Sequence, residues 1–100
     1  QQPSILLLDE PIANLDINHQ MKVMNLLQQL SAEGITVVIT IHDVNMAARF
    51  CNKALMLKRG TVFAFGPKSV YTPKNIENLY DIQVEVLHHK DCICIIPQNS

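Results

Sequence analysis

The sequence predicts an α/β fold, in which a parallel sheet is flanked by helices and followed by antiparallel hairpins. The first observation is an apolar run at residues 5–8 without polar alternation, a pattern typical of strands buried on both faces. The second is a β-branched run at residues 35–41, which favours a strand over a helix. The third is the segment between them, whose helical pattern and length suit a right-handed crossover between parallel strands.

Two carboxylates follow the first strand directly. Asp9 falls at the carboxyl end of the strand, which is the edge of an open α/β sheet where ligands bind. Pro11 cannot donate a ladder hydrogen bond and disfavours helical geometry at Glu10, so we expect the strand to end there. Mg²⁺ prefers carboxylate and water oxygens, with phosphates completing its shell. One acid can therefore hold a cation while the other handles a proton.

The crossover helix is predicted to start after Asp16, which is a favourable N-cap residue, and to stop at Gly34. Apolar side chains recur between them at helical spacing, which predicts a stripe packed against the sheet. The stripe comprises Ile17, Met21, Val23, Met24, Leu26, Leu27 and Leu30.

His42 follows the second predicted strand. Neighbouring parallel strands lie about 5 Å apart and end at the same edge of a sheet, so we expect Asp9, Glu10 and His42 to converge. Taken singly, these residues have plainer interpretations. The acids can mark an ordinary solvent-exposed strand end, and a lone histidine can cap a helix or belong to the core.

The second half of the chain predicts two helices and two hairpins. A short helix capped by Asp43 has one apolar face that includes Cys51, which we interpret as a buried small apolar group. Hairpins are predicted from strands at 54–58 and 61–65, and from strands at 84–87 and 93–96 around Lys90-Asp91. A helix between the hairpins begins with Thr72 as cap and Pro73 at its first position.

Composition indicates one globular domain. The chain has 100 residues, 48% of them hydrophobic, and a net charge of -1, and its eight Lys and Arg residues are scattered, which argues against a nucleic-acid partner. Three cysteines are too few for a disulfide framework and favour a reducing, cytoplasmic setting. No apolar stretch has the length of a transmembrane helix. We expect a domain with a core at 1–67 and a helix and hairpin at 68–100, and the start without Met or leader suggests the C-terminal part of a longer chain.

Three motifs in order resemble those of ATP-binding cassette (ABC) proteins. Residues 5–11 resemble the Walker B segment, residues 13–16 the D-loop and residues 40–43 the switch-histidine loop. The resemblance continues along most of the chain. Within the family, the chain is most similar to the cassettes of importers for siderophore iron, haem or vitamin B12. The segments that carry this closer likeness are 43–51, 58–60, 66–67, 72–76 and 80–84.

The resemblance implies a mechanism of ATP hydrolysis. Asp9 would hold the Mg²⁺ ion that bridges the β- and γ-phosphates of ATP, and Glu10 would act as general base toward the attacking water. His42 would hydrogen-bond the γ-phosphate, so that it serves both binding and catalysis. The D-loop, Asn14-Leu15-Asp16, would cross a head-to-tail dimer interface and couple two sites. Asp16 can cap the helix at the same time, and the alternative for it is a purely structural role.

The sequence also departs from the family pattern. The glycine-rich phosphate loop, the glutamine loop and the signature motif are absent from these residues, so we expect the stretch alone to be inactive and to bind ATP weakly. Ile12 stands where the family commonly has a small hydroxyl residue. The implied partners are the N-terminal half of the same domain, a second cassette and transmembrane permease subunits, on the inner face of the cell membrane.

Two other functions remain open at this point. The first is a non-transport ABC-type ATPase of DNA repair or chromosome maintenance, although such proteins tend to lack a continuation like Gly66-Pro67. The second is a non-catalytic binding fragment.

His88, His89, Cys92 and Cys94 flank the last predicted turn and are candidates for a Zn²⁺ or other soft-metal site. We favour the alternative, a hairpin whose thiols pack inward while its histidines face solvent, because the resemblance implies no metal site here.

Overall fold

The computed structural model describes residues 4–90 and 92–98. The chain divides into two compact units, Gln1–Asp43 and Val44–Ser100. The sequence-based division into a core at 1–67 and a tail at 68–100 stays a prediction.

The first unit is a parallel β-α-β arrangement. Strand β1 (Ile5–Asp9) pairs in parallel with strand β2 (Thr36–Thr40), and helix α1 (Ile17–Ala32) connects them. The register runs from Ile5 opposite Thr36 to Asp9 opposite Thr40. The predicted crossover is therefore confirmed, and it places the last residues of both strands side by side.

One face of this two-stranded sheet is exposed. Ile5 and Leu7 on β1 are 65% and 70% exposed, and Val38 on β2 is 49% exposed, whereas the alternate residues of both strands are half-buried. The expectation that β1 is buried on both faces is wrong for this chain. The described part of the first unit contains a single helix, and one helix covers only one face of a sheet.

Helix α1 begins as predicted. Asp16 is its N-cap, and the Asp16 carboxylate accepts a hydrogen bond from the backbone N–H of His19 at 2.8 Å. The predicted apolar stripe is narrower than expected, because Met24 and Leu27 are buried while Ile17 and Leu26 are 66% and 54% exposed. The extra side chains lie outside the arc that a single sheet face can cover.

The second unit contains two antiparallel hairpins and two α-helices. Helix α2 (Val44–Phe50) precedes the hairpin of β3 (Ala54–Lys58) and β4 (Thr61–Gly66). A 3-10 turn (Lys68–Val70) and helix α3 (Pro73–Tyr80) lead to the hairpin of β5 (Val84–His89) and β6 (Cys92–Pro97). Both predicted hairpins are thus confirmed. The turn between β5 and β6 includes Asp91, which lies outside the described residues.

Local chemistry explains the ends of these elements. Arg59 and Gly60 both have positive φ, at 54° and 77°, as a two-residue hairpin turn of the right twist requires. The Thr72 hydroxyl accepts a hydrogen bond from the Asn75 N–H at 3.1 Å, and Pro73 is the first helical residue, so the predicted start of α3 is confirmed.

The core of the second unit collects side chains from α2, α3 and the hairpins. Ile76 of α3 is fully buried, and the other members are Ala48, Met56, Tyr71, Val84 and Ile95. Cys51 is half-buried rather than fully buried, and its burial raises the pKa of the thiol. None of the helices in the described residues combines the length and apolarity that a membrane crossing requires.

Candidate functional site at the edge of the parallel strand pair

The carboxyl ends of β1 and β2 bring three predicted site residues to one edge. Asp9 is the last residue of β1 and lies opposite Thr40, the last residue of β2. The Glu10 N–H donates to the Thr40 carbonyl at 3.1 Å, so the two chains remain joined one residue beyond the strand. The His42 ring nitrogen Nε2 contacts the Glu10 carboxylate oxygen Oε1. The structure therefore brings Asp9, Glu10 and His42 together as the sequence predicted.

Glu10 has an unusual backbone conformation. Its φ of 48° lies in the left-handed region, which costs a residue other than glycine about 1 to 3 kcal/mol. Two acceptors on one residue hold the Glu10 N–H in place, the carbonyl of Thr40 at 3.1 Å and its hydroxyl at 2.9 Å. This conformation turns the chain sharply after β1, and the Glu10 side chain meets the ring of His42.

The Asp9 carboxylate has a neighbour that the sequence analysis did not identify. The Thr40 hydroxyl donates to Asp9 Oδ1 at 2.5 Å. Thr40 belongs to the second predicted strand and to the segment 40–43 that resembles the switch-histidine loop, but no role was assigned to it, because its bond to Asp9 depends on the strand register, which the sequence alone does not give.

The Glu10–His42 pair is accessible to a ligand. The His42 side chain is 86% exposed and the Glu10 side chain is 39% exposed. Both line a cavity of about 140 Å³ together with Ile12, Ala13, Gln20, Ile41 and Asp43. Pockets that enclose whole small molecules measure roughly 300 to 1,000 Å³, so this cavity is too small to enclose a nucleotide.

The loop between β1 and α1 has a buried anchor and an exposed tip. Ile12 is only 4% exposed, and its carbonyl accepts hydrogen bonds from the Leu15 N–H at 3.3 Å and from the Gln20 side-chain amide at 3.3 Å. Asn14 adopts a positive φ of 66°, and Asn14, Leu15 and Asp16 are all exposed. The large side chain of Ile12 thus fixes the base of the loop, while the predicted D-loop residues face outward.

Asp16 has a second interaction besides the cap. Its Oδ1 lies 2.8 Å from the His19 ring nitrogen Nδ1. Two hydrogen bonds from His19 lower the pKa of the Asp16 carboxyl: the bond from its backbone N–H has the larger effect, and the bond from its ring the smaller. His19 was not among the predicted site residues, although its spacing of three residues from an N-cap acid is a signal for such a pair. The N-cap interpretation of Asp16 is observed, and it is compatible with an interface role.

The charge of the first unit bears on what the site can bind. Residues 1–43 contain five Asp and Glu residues but only one Lys and no Arg. A phosphate close to Asp9 and Glu10 would be repelled by these carboxylates unless a cation lay between them. The exposed Asp9 carboxylate next to a hydroxyl is a set of hard oxygen donors, which fits Mg²⁺.

The predicted soft-metal residues do not share one face of their hairpin. His89 lies opposite Cys92 and Leu87 opposite Cys94, whereas His88 lies opposite Ile93 on the other face. Within residues 4–90 and 92–98, no group of three or more His, Cys, Asp or Glu side chains is arranged to hold a metal. The structure thus gives no support to a soft-metal site here.

The alternative for this hairpin is also corrected in one respect. Cys92 and Cys94 are exposed instead of packing inward, and His88 and His89 are exposed as expected. Ile93 and Ile95 occupy the inner face, and because side chains alternate along a strand, the cysteines must point outward.

Comparison with known proteins gives related sequences. No protein-family model matches the chain. The chain is 44% identical over 90 residues to a hemin import ATP-binding protein of Bordetella avium, an alignment that covers 88% of this chain and 34% of that protein. It is 36% identical over 98 residues to an uncharacterised ABC transporter ATP-binding protein of Methanocaldococcus jannaschii, covering 97% and 39%. The chain thus spans about a third of the length of these curated relatives.

Solved structures have the same fold. An inward-facing structure described as an ABC transporter of the metal-chelate type matches 96% of this chain and 41% of its own, with a TM-score of 0.82 and 28% identity. The cbiO1 protein of Clostridium perfringens, part of the ABC transporter complex cbiONQ, matches 76% of this chain and 31% of its own, with a TM-score of 0.64 and 33% identity. These likenesses confirm the predicted α/β fold class of nucleotide-binding cassettes.

Proposed function

Because the chain belongs to the family of ABC transporter ATP-binding proteins, we propose that it contributes to the ATP hydrolysis that drives import of a metal chelate across a membrane. The resemblance stated from the motifs is confirmed by these relatives. Hemin import and metal-chelate transport in the names of the relatives support a cargo such as haem, siderophore iron or cobalamin. The same names favour transport over the alternatives of DNA repair and of a non-catalytic fragment.

The observation that carries this proposal is the contact of the Glu10 carboxylate with the His42 ring, one residue past Asp9. In this arrangement Glu10 is the general base, which orients the attacking water and accepts its proton. His42 is the proposed hydrogen-bond donor to the γ-phosphate, and its ring lies against Glu10 at the same edge. Both side chains line the cavity of about 140 Å³.

Asp9 is the proposed ligand to Mg²⁺. The fit rests on its exposed carboxylate and on the acidic charge of the first unit. When bound, Mg²⁺ neutralises the charge that builds up on the phosphate oxygens during phosphoryl transfer. The task of Asp9 itself is to hold its carboxylate at the strand edge, within reach of the same phosphate as Glu10.

The proposed partners follow from what these residues provide and what they do not. The exposed residues Asn14, Leu15 and Asp16 form a surface for a second cassette in a head-to-tail dimer. The phosphate loop and signature motif that ATP binding requires are absent from these 100 residues, so another part of the domain must supply them. Permease subunits would carry the cargo, which places the cassette in the cytoplasm, against the inner face of the membrane.

The test is phosphate release by the full protein that contains these residues, assembled with its permease subunits. We expect Mg²⁺-dependent ATP hydrolysis in the parent protein. In an Asp9→Asn variant, the Mg²⁺ concentration that gives half-maximal hydrolysis should rise strongly, because the metal loses a charged ligand. The matched control is Glu33→Gln, which removes an acid of the same unit at the far end of α1. Hydrolysis that needs no divalent cation, or that survives Asp9→Asn unchanged, would contradict the proposal.

A further inference from the structure

We propose that Thr40 is a positioning residue that fixes both acids of the site through one hydroxyl group. Its Oγ1 donates to Asp9 Oδ1 at 2.5 Å and accepts from the Glu10 N–H at 2.9 Å. This inference rests on the proposed function, because it assigns Thr40 to the orientation of the Mg²⁺ ligand and of the general base.

The hydroxyl group is chemically suited to this task. A threonine hydroxyl has one proton to donate and two lone pairs to accept. The proton goes to the side chain of Asp9, and a lone pair receives the backbone N–H of Glu10. The bond at Asp9 involves one carboxylate oxygen, so it is compatible with a cation bound through the other. One side chain therefore ties the side chain of the first acid to the backbone of the second.

The backbone of Glu10 is where this restraint matters most. Glu10 adopts a φ of 48°, which residues with a side chain seldom adopt without support from their surroundings. Besides the Thr40 hydroxyl, the Glu10 N–H is bonded to the Thr40 carbonyl at 3.1 Å, and the Glu10 carbonyl accepts a hydrogen bond from the Ala13 N–H at 3.2 Å. Removing the hydroxyl leaves the N–H of Glu10 with the Thr40 carbonyl alone and lets the Asp9 carboxylate rotate. Both acids then lose their fixed orientation at the strand edge.

Three variants of the full protein separate this role from general strand stability. Thr40→Val keeps the β-branched shape that suits the strand but removes the hydroxyl, whereas Thr40→Ser keeps the hydroxyl. Thr36→Val is the matched control, because it makes the same change four residues earlier on the same exposed face of β2.

The first readout is hydrogen exchange at the Glu10 amide. We expect faster exchange in Thr40→Val and parent-like exchange in Thr40→Ser and Thr36→Val. The second readout is the affinity for Mn²⁺ in the presence of ATP, measured by electron paramagnetic resonance, together with the half-saturating Mg²⁺ concentration for hydrolysis. For Thr40→Val we expect an Mn²⁺ affinity about tenfold weaker and a half-saturating Mg²⁺ concentration about tenfold higher, on the scale of a hydrogen bond to a charged group, with rescue by Thr40→Ser.

Two results would overturn the proposal. One is parent-like amide exchange in Thr40→Val, which would show that the hydroxyl does not hold Glu10. The other is faster exchange with unchanged Mn²⁺ affinity and Mg²⁺ requirement, which would confine Thr40 to a structural role. The proposed function fails by a different result, namely the absence of Mg²⁺-dependent hydrolysis in the parent protein. In that case amide exchange at Glu10 would still test whether the Thr40 hydroxyl holds the Glu10 backbone.

Discussion

Replacing Glu10 by Gln is expected to stop ATP turnover while leaving the fold and nucleotide binding intact. Gln has the shape of Glu, and the Glu10 side chain is 39% exposed, so the change creates no cavity and buries no unpaired charge. A neutral amide can still contact the His42 ring, but it cannot accept the proton of the attacking water. Losing a general base costs about 10² to 10⁴ in rate, or about 3 to 5 kcal/mol of barrier.

The assay is single-turnover phosphate release by the full protein, with binding of a fluorescent ATP analogue measured in parallel. Glu33→Gln serves as the control, because it makes the same chemical change at the exposed end of α1 and should leave the rate unchanged. An unaltered rate in Glu10→Gln would remove Glu10 from the role of base. Loss of nucleotide binding at an unchanged rate per bound ATP would assign Glu10 to binding instead.

Three further predictions concern the second unit. Ile76→Ala should lower the free energy of unfolding by about 2 to 5 kcal/mol in denaturant titrations, because Ile76 is fully buried, whereas Ile76→Val should cost about 1 kcal/mol. A hydrogen bond from the Lys58 ammonium lowers the pKa of Asp81 from its usual 3.8. The parent protein should therefore have a higher free energy of unfolding than Asp81→Asn above that pH, and the difference should disappear as the pH falls through the lowered pKa of Asp81 in the folded protein. A difference that persists in acid would refute this prediction. With a thiol reagent in the folded protein, the two exposed thiols of β6 should react quickly and Cys51 slowly; equal rates would contradict the burial described here.

The parts of the fold that the sequence predicted correctly rest on strong local signals. Examples are the β-branched run at 36–40 and the N-caps Asp16 and Thr72. Their structural effect depends on residues close to them in the sequence, so it can be predicted without knowledge of the tertiary structure. The convergence of Asp9, Glu10 and His42 needed one further assumption, that both strands are parallel, and the observed register supports it.

The parts that the sequence did not predict depend on which surfaces are covered. An apolar run such as residues 5–8 indicates burial on two faces, yet Ile5 and Leu7 are exposed because, within the described residues of this unit, a single helix covers the sheet. The inward face of β6 was assigned to the cysteines and is instead that of Ile93 and Ile95, since Cys92 and Ile93 are both apolar and a shift of one residue exchanges the faces. Thr40 was missed for a related reason: its bond to Asp9 exists only in this register.

The central claim is that the edge formed by Asp9, Glu10 and His42 receives the terminal phosphate of ATP together with Mg²⁺. A crystal structure of the full Glu10→Gln protein with ATP and Mg²⁺ tests this most directly, because the variant should bind the nucleotide without hydrolysing it. We expect the metal beside the Asp9 carboxylate and the γ-phosphate within hydrogen-bonding distance of the His42 ring. A phosphate and metal bound at another edge of the cassette, away from these three residues, would contradict it.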